Sequence, residues 1–169
     1  MGVSGCGKSS LADAVAAALG WRAIEGDDFH GPRNKALMHA GIALTDADRA
    51  GWLDALGAEL AASREGGVVL SCSALKRSYR DRLRGAHAGL RFAFLEIAEA
   101  AALARVAARA AGHFFPAALV RNQFETLEPP TAEAGVLRLD ALLPPSALLD
   151  ATLAWLARPF DRQTHEVTP

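Results

Sequence analysis

Short runs of apolar residues alternate along the chain with longer segments in which apolar residues recur every three or four positions. The short runs predict strands, and they lie at residues 21–28, 68–72, 91–97 and 136–140. The longer segments predict amphipathic helices, and they lie at residues 9–19, 33–40, 45–64, 76–84, 99–110, 117–127 and 146–157. Strands that alternate with helices indicate an α/β fold, in which a parallel sheet is flanked by helices.

Residues that favour helix ends mark several of these boundaries. Gly20 follows the first helix and is a good C-cap, because glycine readily adopts the left-handed conformation found there. Thr45 is a good N-cap, and Asp46 and Asp48 in the next turn suit the positive end of the helix dipole. Ser146 is the predicted cap of the last helix.

Composition narrows the class of protein. The chain has 169 residues, 51% of them hydrophobic, and a formal net charge of −1. We expect one domain over residues 1–158 and a disordered tail over 159–169. A nearly neutral chain gives no general attraction to nucleic acid or to a membrane surface, so we expect neither as a partner. Two cysteines form no disulfide framework, which favours the cytoplasm.

A phosphate-binding motif begins at the second residue. The segment from Gly2 to Ser9 fits the spacing G-x-x-x-x-G-K-[ST] and precedes a predicted helix. Backbone N–H groups of such a loop converge on phosphate oxygens, Lys8 adds positive charge, and the Ser9 hydroxyl can bind Mg²⁺. The alternative is a glycine-rich turn before an ordinary helix. The predicted nucleotide-binding residues are Gly2, Ser4, Gly5, Cys6, Gly7, Lys8, Ser9 and Ser10.

Two acids follow the first predicted strand. Glu25 and Asp27 lie at its carboxyl end, where α/β sheets bind their ligands. One carboxylate could lie beside Mg²⁺ and the other could accept a proton from a hydroxyl nucleophile. The alternative is an aspartate-rich turn with no chemical role.

Basic residues are concentrated in two predicted helices. Lys76 and Arg80 come just after the strand at 68–72, where they could receive an anionic substrate. Arg105 and Arg109 are one helical turn apart and could face transferring phosphates. His113 could orient a substrate or close a loop. For all four cations the alternative is a solvated helix face.

Several longer motifs resemble the gluconate kinase family, carbohydrate kinases of the P-loop fold that are related to the shikimate and adenylate kinases. The matching segments are G-V-S-G-C-G-K-S at 2–9, G-D-D-F-H at 26–30, R-N at 33–34, M-H-A-G-I-A-L-T-D-A-D-R at 38–49, W-L at 52–53, C-S-A-L-K-R-S-Y-R-D-R-L-R at 72–84, G-H-F-F at 112–115 and Q-F-E-T-L-E-P-P at 123–130. Together they cover almost the whole chain.

The resemblance implies a cytoplasmic enzyme that uses ATP and Mg²⁺ to phosphorylate D-gluconate at its terminal hydroxyl. It assigns catalysis to Lys8, Asp27 and Arg109, and Mg²⁺ to Ser9 and Glu25, the latter standing where relatives commonly have aspartate. Arg105 would belong to a lid over ATP at about 105–127. The implied substrate-binding residues are Asp27, His30, Asn34, Arg49, Lys76, Arg80 and His113.

Other interpretations of the same residues are open. A related small-molecule kinase, such as one for shikimate, would share the phosphate loop and the acids. A nucleotide-binding module without turnover would share the loop alone. The resemblance also suggests a homodimer.

The resemblance implies one element that the sequence lacks. In the related kinases a central strand precedes the phosphate loop, whereas only Met1 precedes it here. We expect the strands at 68–72 and 91–97 to be left with unpaired edges that face a slot. We also expect about five to eight residues rich in Val, Ile and Leu before Met1, which would then be an internal methionine.

Overall fold

Helices and strands alternate along the computed structural model, which describes residues 1–63, 66–109 and 116–159. The helices of the described residues are α1 Lys8–Leu19, α2 Pro32–His39, α3 Asp46–Ala62, α4 Arg77–Ala86, α5 Glu99–Arg109, α6 Ala117–Thr126 and α7 Pro145–Leu156. The strands are β1 Arg22–Glu25, β2 Val68–Ser71, β3 Phe92–Glu96 and β4 Val136–Asp140. The predicted α/β fold is confirmed, with boundaries within a few residues of those expected.

The strands form two parallel pairs. β1 pairs with β2, which places Glu25 opposite Ser71 at the carboxyl end of both strands. β3 pairs with β4, which places Glu96 opposite Asp140. Among the described residues no ladder joins β2 to β3, so each pair is a separate two-stranded sheet.

Helix caps are observed at two of the three residues predicted to form them. Gly20 adopts the left-handed conformation with φ 66° and ends α1. Thr45 and Asp48 form a reciprocal capping box, in which each side chain accepts the backbone N–H of the other. The prediction that Ser146 caps the last helix is wrong: the N-cap is Pro144, two residues earlier, and α7 begins at Pro145. Proline suits that position because its missing N–H would have no partner in the first turn.

Two apolar clusters hold the layers together. One surrounds the phosphate loop and includes Val3, Cys6 and Val120, all at most 2% exposed. The other packs α3 and α4 against the sheet through residues that include Leu56 and Leu83. The loop is therefore anchored in a core at its start, although only one residue precedes it.

The first two residues lie between the two sheets. The amino group of Met1 donates to the carbonyl of Ala93 at 2.6 Å, and Leu95 N donates to the carbonyl of Met1 at 3.0 Å. Behind Met1 a cavity of about 540 Å³ separates β2 from β3. The three apolar residues of β2, Val68, Val69 and Leu70, are only partly buried.

Some predictions fall outside the described residues. His113 is one of them, and so are residues 110–115 of the predicted lid, residues 160–169 of the predicted tail and the side chain of Arg109. Among the described helices, none is both long enough and apolar enough to cross a membrane.

Candidate active site

The phosphate loop contains three glycines with positive φ, namely Gly2 at 140°, Gly5 and Gly7. Gly7, at φ 97°, precedes α1, and no side chain caps the first N–H groups of that helix. Gly5, at φ 84°, packs so closely on α5 that a Cβ would lie 2.8 Å from the carbonyl oxygen of Ala102. The loop therefore leaves the positive end of α1 open to an anion.

Lys8 folds back over this loop. Its Nζ donates to the carbonyl of Val3 at 3.0 Å. An ammonium group has three donors, so this bond leaves others for a phosphate. The position beside the open end of α1 is the one predicted for the lysine of a phosphate-binding loop.

Gln123 of α6 contacts the loop from the other side, which the sequence did not reveal. Its Oε1 accepts the backbone N–H of Ser4 at 2.6 Å. An amide oxygen here occupies one of the donors that the loop could offer to a phosphate. The bond also joins α6, part of the predicted lid region, directly to the nucleotide loop.

Three oxygen-bearing side chains meet at the carboxyl ends of β1 and β2. The Ser9 hydroxyl donates to Glu25 Oε2 at 2.6 Å and lies 3.4 Å from the hydroxyl of Ser71. Oxygen ligands of this kind suit Mg²⁺, which usually binds one or two carboxylates together with phosphate oxygens. No group of three His, Cys, Asp or Glu residues able to hold a metal occurs among the described residues. A metal here would thus depend on Ser9 and Glu25.

Ser71 is a second site residue that the sequence analysis missed. It lies within residues 68–72, which predict a strand, and that prediction assigns no role to the Ser71 side chain. A polar residue at the carboxyl end of an apolar strand indicates a possible ligand-binding side chain. The parallel register places Ser71 opposite Glu25, which supports this interpretation.

Asp27 lies in a tight 3₁₀ turn, Gly26–Phe29, directly after β1. The turn is held against β2, because a Cβ on Gly26 would lie 2.5 Å from the carbonyl oxygen of Ser71. The indole of Trp52 also donates to the carbonyl of Gly26 at 2.7 Å. The carboxylate of Asp27 is exposed and thus free to meet a ligand from solvent.

His30 is buried beside this turn. Its ring stacks on Trp52 with 4.5 Å between centroids and 14° between planes. Among the described residues its Nδ1 has no hydrogen-bond partner. Burial, with a smaller contribution from Arg49 and Lys35, lowers the pKa of His30 to about 4. The imidazole is therefore neutral at pH 7 and has one unused polar atom.

Two cations flank Tyr79 near the start of α3 and α4. Lys76 Nζ lies 2.8 Å from both carboxylate oxygens of Asp46, and the Tyr79 hydroxyl donates to the same carboxylate. The hydrogen bonds from Lys76 and Tyr79 lower the pKa of Asp46. Arg49 and Lys76 lie 5.9 and 5.8 Å from the centre of the Tyr79 ring. One carboxylate thus faces two cations, which leaves an excess of positive charge.

Asn34 serves the packing of α2 on α3. Its side-chain amide donates to the carbonyl of Asp48 at 2.7 Å, and the residue is 8% exposed. Arg33 adds an ion pair with Asp48. The structure thus gives Asn34 a backbone partner near the cation pair.

The prediction that Arg80 binds substrate is corrected by its burial, because its side chain is 0% exposed. The guanidinium pairs with Glu133 and donates to backbone carbonyls of both flanking loops. The acceptors are the carbonyls of Ala74 at 3.0 Å, Leu75 at 2.9 Å and Glu128 at 3.0 Å. Burial raises the pKa of Glu133, but hydrogen bonds from Arg80 and Arg84 outweigh it and hold that pKa below its usual value. Arg80 is a structural residue.

Arg105 joins α5 to the segment after β4. Its Nη2 donates to the carbonyl of Ala141 at 3.0 Å, in a half-buried position. It lies one turn from Ala102, on which Gly5 of the phosphate loop packs. Arg105 is thus near the loop.

The chain is similar to several known proteins. The family model described as "AAA domain" matches residues 1–130. A gluconokinase from Gluconobacter oxydans (strain 621H) is 43% identical over 154 residues, covering 89% of this chain and 85% of the relative. The crystal structure of a gluconokinase from Sinorhizobium meliloti 1021 is 47% identical with a TM-score of 0.84, over 93% of this chain and 90% of that one. A sugar kinase from Janibacter sp. HTCC2649 is 40% identical with a TM-score of 0.87, over 92% of this chain and 91% of that one.

Proposed function

The chain belongs to the gluconokinase family of P-loop kinases, and we propose that it transfers the terminal phosphoryl group of ATP to D-gluconate, giving 6-phospho-D-gluconate. One observation supports this most directly. The phosphate loop with Ser9 and Glu25 adjoins a turn that presents Asp27 and His30, and Arg49 and Lys76 supply positive charge on α3 and at the start of α4.

The nucleotide side of the site needs donors and positive charge. N–H groups from Gly2 to Ser10, together with the ammonium of Lys8, would bind the phosphates of ATP. Ser9 and Glu25 would hold Mg²⁺, which supplies charge neutralisation at the phosphates when bound. Ser71 lies close enough to orient the Ser9 hydroxyl. We place Arg105 and Arg109 near ATP, within a lid at about 105–127.

The substrate side must recognise one carboxylate and several hydroxyls. Arg49 and Lys76 would attract the carboxylate of gluconate, because two cations there share a single protein carboxylate. The Nδ1 of neutral His30, which has no hydrogen-bond partner within residues 1–63, 66–109 and 116–159, could bond a sugar hydroxyl. Asn34 and His113 complete the proposed set of polar contacts.

Asp27 is the proposed general base. Its exposed carboxylate would accept the proton of the terminal hydroxyl while that oxygen attacks the γ-phosphorus. The turn that carries Asp27 is held by Trp52 through the carbonyl of Gly26, so the carboxylate has a rigid support. Rigid support matters because general-base catalysis depends on the distance to the proton.

The experiment is a coupled ADP-release assay on a panel that contains D-gluconate, other sugar acids and shikimate. We expect turnover with D-gluconate to exceed that with the others. Asp27→Asn should lower kcat about 10²–10⁴-fold with little change in ATP affinity. Asp28→Asn is the matched control, since this neighbouring acid is also exposed and has no proposed role.

Each alternative has its own outcome in the same assay. Preferred turnover of shikimate would make the chain a related small-molecule kinase. ATP binding without turnover on any member of the panel would make it a nucleotide-binding module. A homodimer and a cytoplasmic location are further proposals from the family resemblance, and light scattering tests the first.

A further inference from the structure

The segment at the end of α6, residues 123–128, contacts both of the loops proposed to bind ligands, although none of its residues has an assigned chemical role. Gln123 bonds to the phosphate loop, and Glu128 bonds to the start of α4. The phosphate loop would bind ATP, and the start of α4 carries Lys76, one of the two cations proposed for gluconate. One short segment therefore lies against both halves of the site.

Gln123 fixes the phosphate loop at a point where apolar packing is incomplete. Its Oε1 accepts the N–H of Ser4 at 2.6 Å, and its own carbonyl accepts the N–H of Leu127 at 2.9 Å. A cavity of about 190 Å³ lies beside Val3 of the loop and Phe124 of α6. Because atoms gain no contact energy across a void, the directional bond from Ser4 matters more on this side of the loop. The end of α1 that would meet an anion stays open, since no side chain caps it.

Glu128 fixes the start of α4 with its backbone and with its side chain. Its N–H donates to the carbonyl of Leu75 at 3.0 Å, and its carbonyl accepts from Arg80 at 3.0 Å. Its carboxylate accepts the N–H of Arg77, the first residue of α4, at 2.6 Å. The N-cap residue of that helix is Lys76, whose side chain makes no capping bond. Glu128 thus caps α4 from a distant segment, and its negative charge suits the positive end of the helix.

The backbone just before Lys76 needs such support. Ala74 has a φ of 43°, in the left-handed region that residues with a Cβ seldom adopt. A residue in that region keeps its conformation only where the surrounding structure holds it. Arg80 and Glu128 supply bonds to the carbonyls of Ala74 and Leu75. The position of Lys76 therefore depends in part on the segment that follows α6.

We propose that Gln123 and Glu128 are positioning residues for the phosphoryl transfer. Gln123 holds the phosphate loop in the shape that binds ATP, and Glu128 holds Lys76 where it meets the carboxylate of gluconate. The identity of the two ligands rests on the proposed function. The hydrogen bonds to Ser4 and Arg77 can be measured without either ligand.

The test at Gln123 uses Gln123→Met, which keeps the length of the side chain and removes the acceptor oxygen. The Kd for ATP with Mg²⁺, measured by calorimetry, should rise about fivefold, as the loss of one hydrogen bond does, while the Kd for gluconate should stay near that of the parent. In the ligand-free protein, amide exchange at Ser4 should become about fivefold faster. Asn122→Met is the matched control, because this neighbouring residue of α6 is also a partly buried amide.

The test at Glu128 should give the opposite selectivity. Glu128→Ala should raise the KM for gluconate about fivefold, leave the KM for ATP near normal and speed amide exchange at Arg77. Glu128→Gln keeps an acceptor oxygen and should restore most of what Glu128→Ala loses. Glu125→Ala is the control, since this residue of α6 is also an exposed acid. A thermal melt of each variant shows that the proteins compared are folded.

A general loss of structure would not give opposite selectivity in the two variants. Equal losses for ATP and gluconate in both variants would overturn the proposal, and so would ATP binding and Ser4 exchange that match the parent in Gln123→Met. Tighter ATP binding by Gln123→Met would also overturn it, because Gln123 would then compete with phosphate for the N–H of Ser4. A parent chain without turnover of gluconate would refute the proposed function instead, while ATP binding and exchange at Ser4 and Arg77 would still decide this proposal.

Discussion

Lys76 and Arg80 lie four residues apart at the start of α4, yet they have opposite environments. The Lys76 side chain is 28% exposed and pairs with Asp46, whose side chain is 62% exposed. The Arg80 side chain is 0% exposed and pairs with Glu133, whose side chain is 6% exposed. Both are cations bound to one carboxylate, and only the first pair is open to a ligand.

The difference in exposure between these two ion pairs distinguishes a cation that can bind a ligand from one that stabilises the fold. Lys76 can exchange Asp46 for the carboxylate of a substrate at little cost, because water stabilises the carboxylate that it leaves. Arg80 cannot do this, because Glu133 would remain charged and buried without a partner. A cation near a cleft is thus a candidate for binding only where both members of its ion pair reach solvent.

The largest expected effect comes from removing Arg80 from its buried ion pair with Glu133. Arg80→Ala should lower the free energy of unfolding by about 3–5 kcal/mol, since it leaves Glu133 buried and unpaired. Urea denaturation measures this. Arg82→Ala is the control on the same helix, where an exposed pair with Asp54 is worth about 1 kcal/mol or less. An Arg80→Ala protein of normal stability but with a strongly raised KM for gluconate would reverse our assignment.

The next largest effect is expected at Lys8 in the phosphate loop. Lys8→Ala should lower kcat about 10²–10³-fold, as removal of one electrostatic contact to the transferring group typically does. Unfolding should change little, because the bond to Val3 O is a single half-buried contact. Steady-state kinetics and a thermal melt on the same sample check both halves. Near-normal kcat in a folded protein would contradict the role of Lys8.

Substitution of Lys76, the cation of the exposed pair, should have a smaller effect, on substrate binding alone. Lys76→Ala should raise the KM for gluconate about tenfold, which corresponds to roughly 1.4 kcal/mol. The KM for ATP and the stability should stay near normal. Arg77→Ala is the matched control, because this neighbouring cation is exposed and pairs only within α4 in the described structure. Equal losses for gluconate and ATP would indicate a structural role instead.

The last expected effect develops gradually with pH. His30 is neutral in the folded protein down to about pH 4, whereas an unfolded histidine takes up a proton near pH 6.5. The unfolded state therefore binds more protons between these values, and stability should fall as pH falls from 6.5 toward 4. The slope from one group is at most about 1.4 kcal/mol per pH unit.

The control for this effect is a pair of histidine variants. His30→Gln should flatten the pH dependence of unfolding relative to the parent chain, while His39→Gln at an exposed position should not. Parallel slopes for all three proteins between pH 6.5 and 4 would show that His30 is not the group responsible.

Features that depend on near neighbours could be predicted from the sequence. The phosphate loop, the C-cap at Gly20 and the N-cap at Thr45 each need residues within about one helical turn. Alternating strands and helices were enough for the fold class. These elements are local, so their residue patterns carry the necessary information.

Features that depend on distant partners could not be predicted in this way. Arg80 and Glu133 are 53 positions apart, and no residue pattern near Arg80 indicates that its side chain is buried. Gln123 meets Ser4 across 119 positions. Ser71 gains its place from the register of two parallel strands. Each of these contacts depends on how helices and strands that are distant in the sequence pack together. Residue patterns within one segment do not reveal that packing.

The stacking of His30 on Trp52 gives the protein an optical signal. Indole emission responds to a neighbouring ring and to the hydrogen bond that Trp52 makes with Gly26. The other two tryptophans, Trp21 and Trp155, line the cavity between β2 and β3. Variants that retain Trp52 alone, or Trp21 alone, would therefore report by fluorescence on events in the cleft and in the cavity separately.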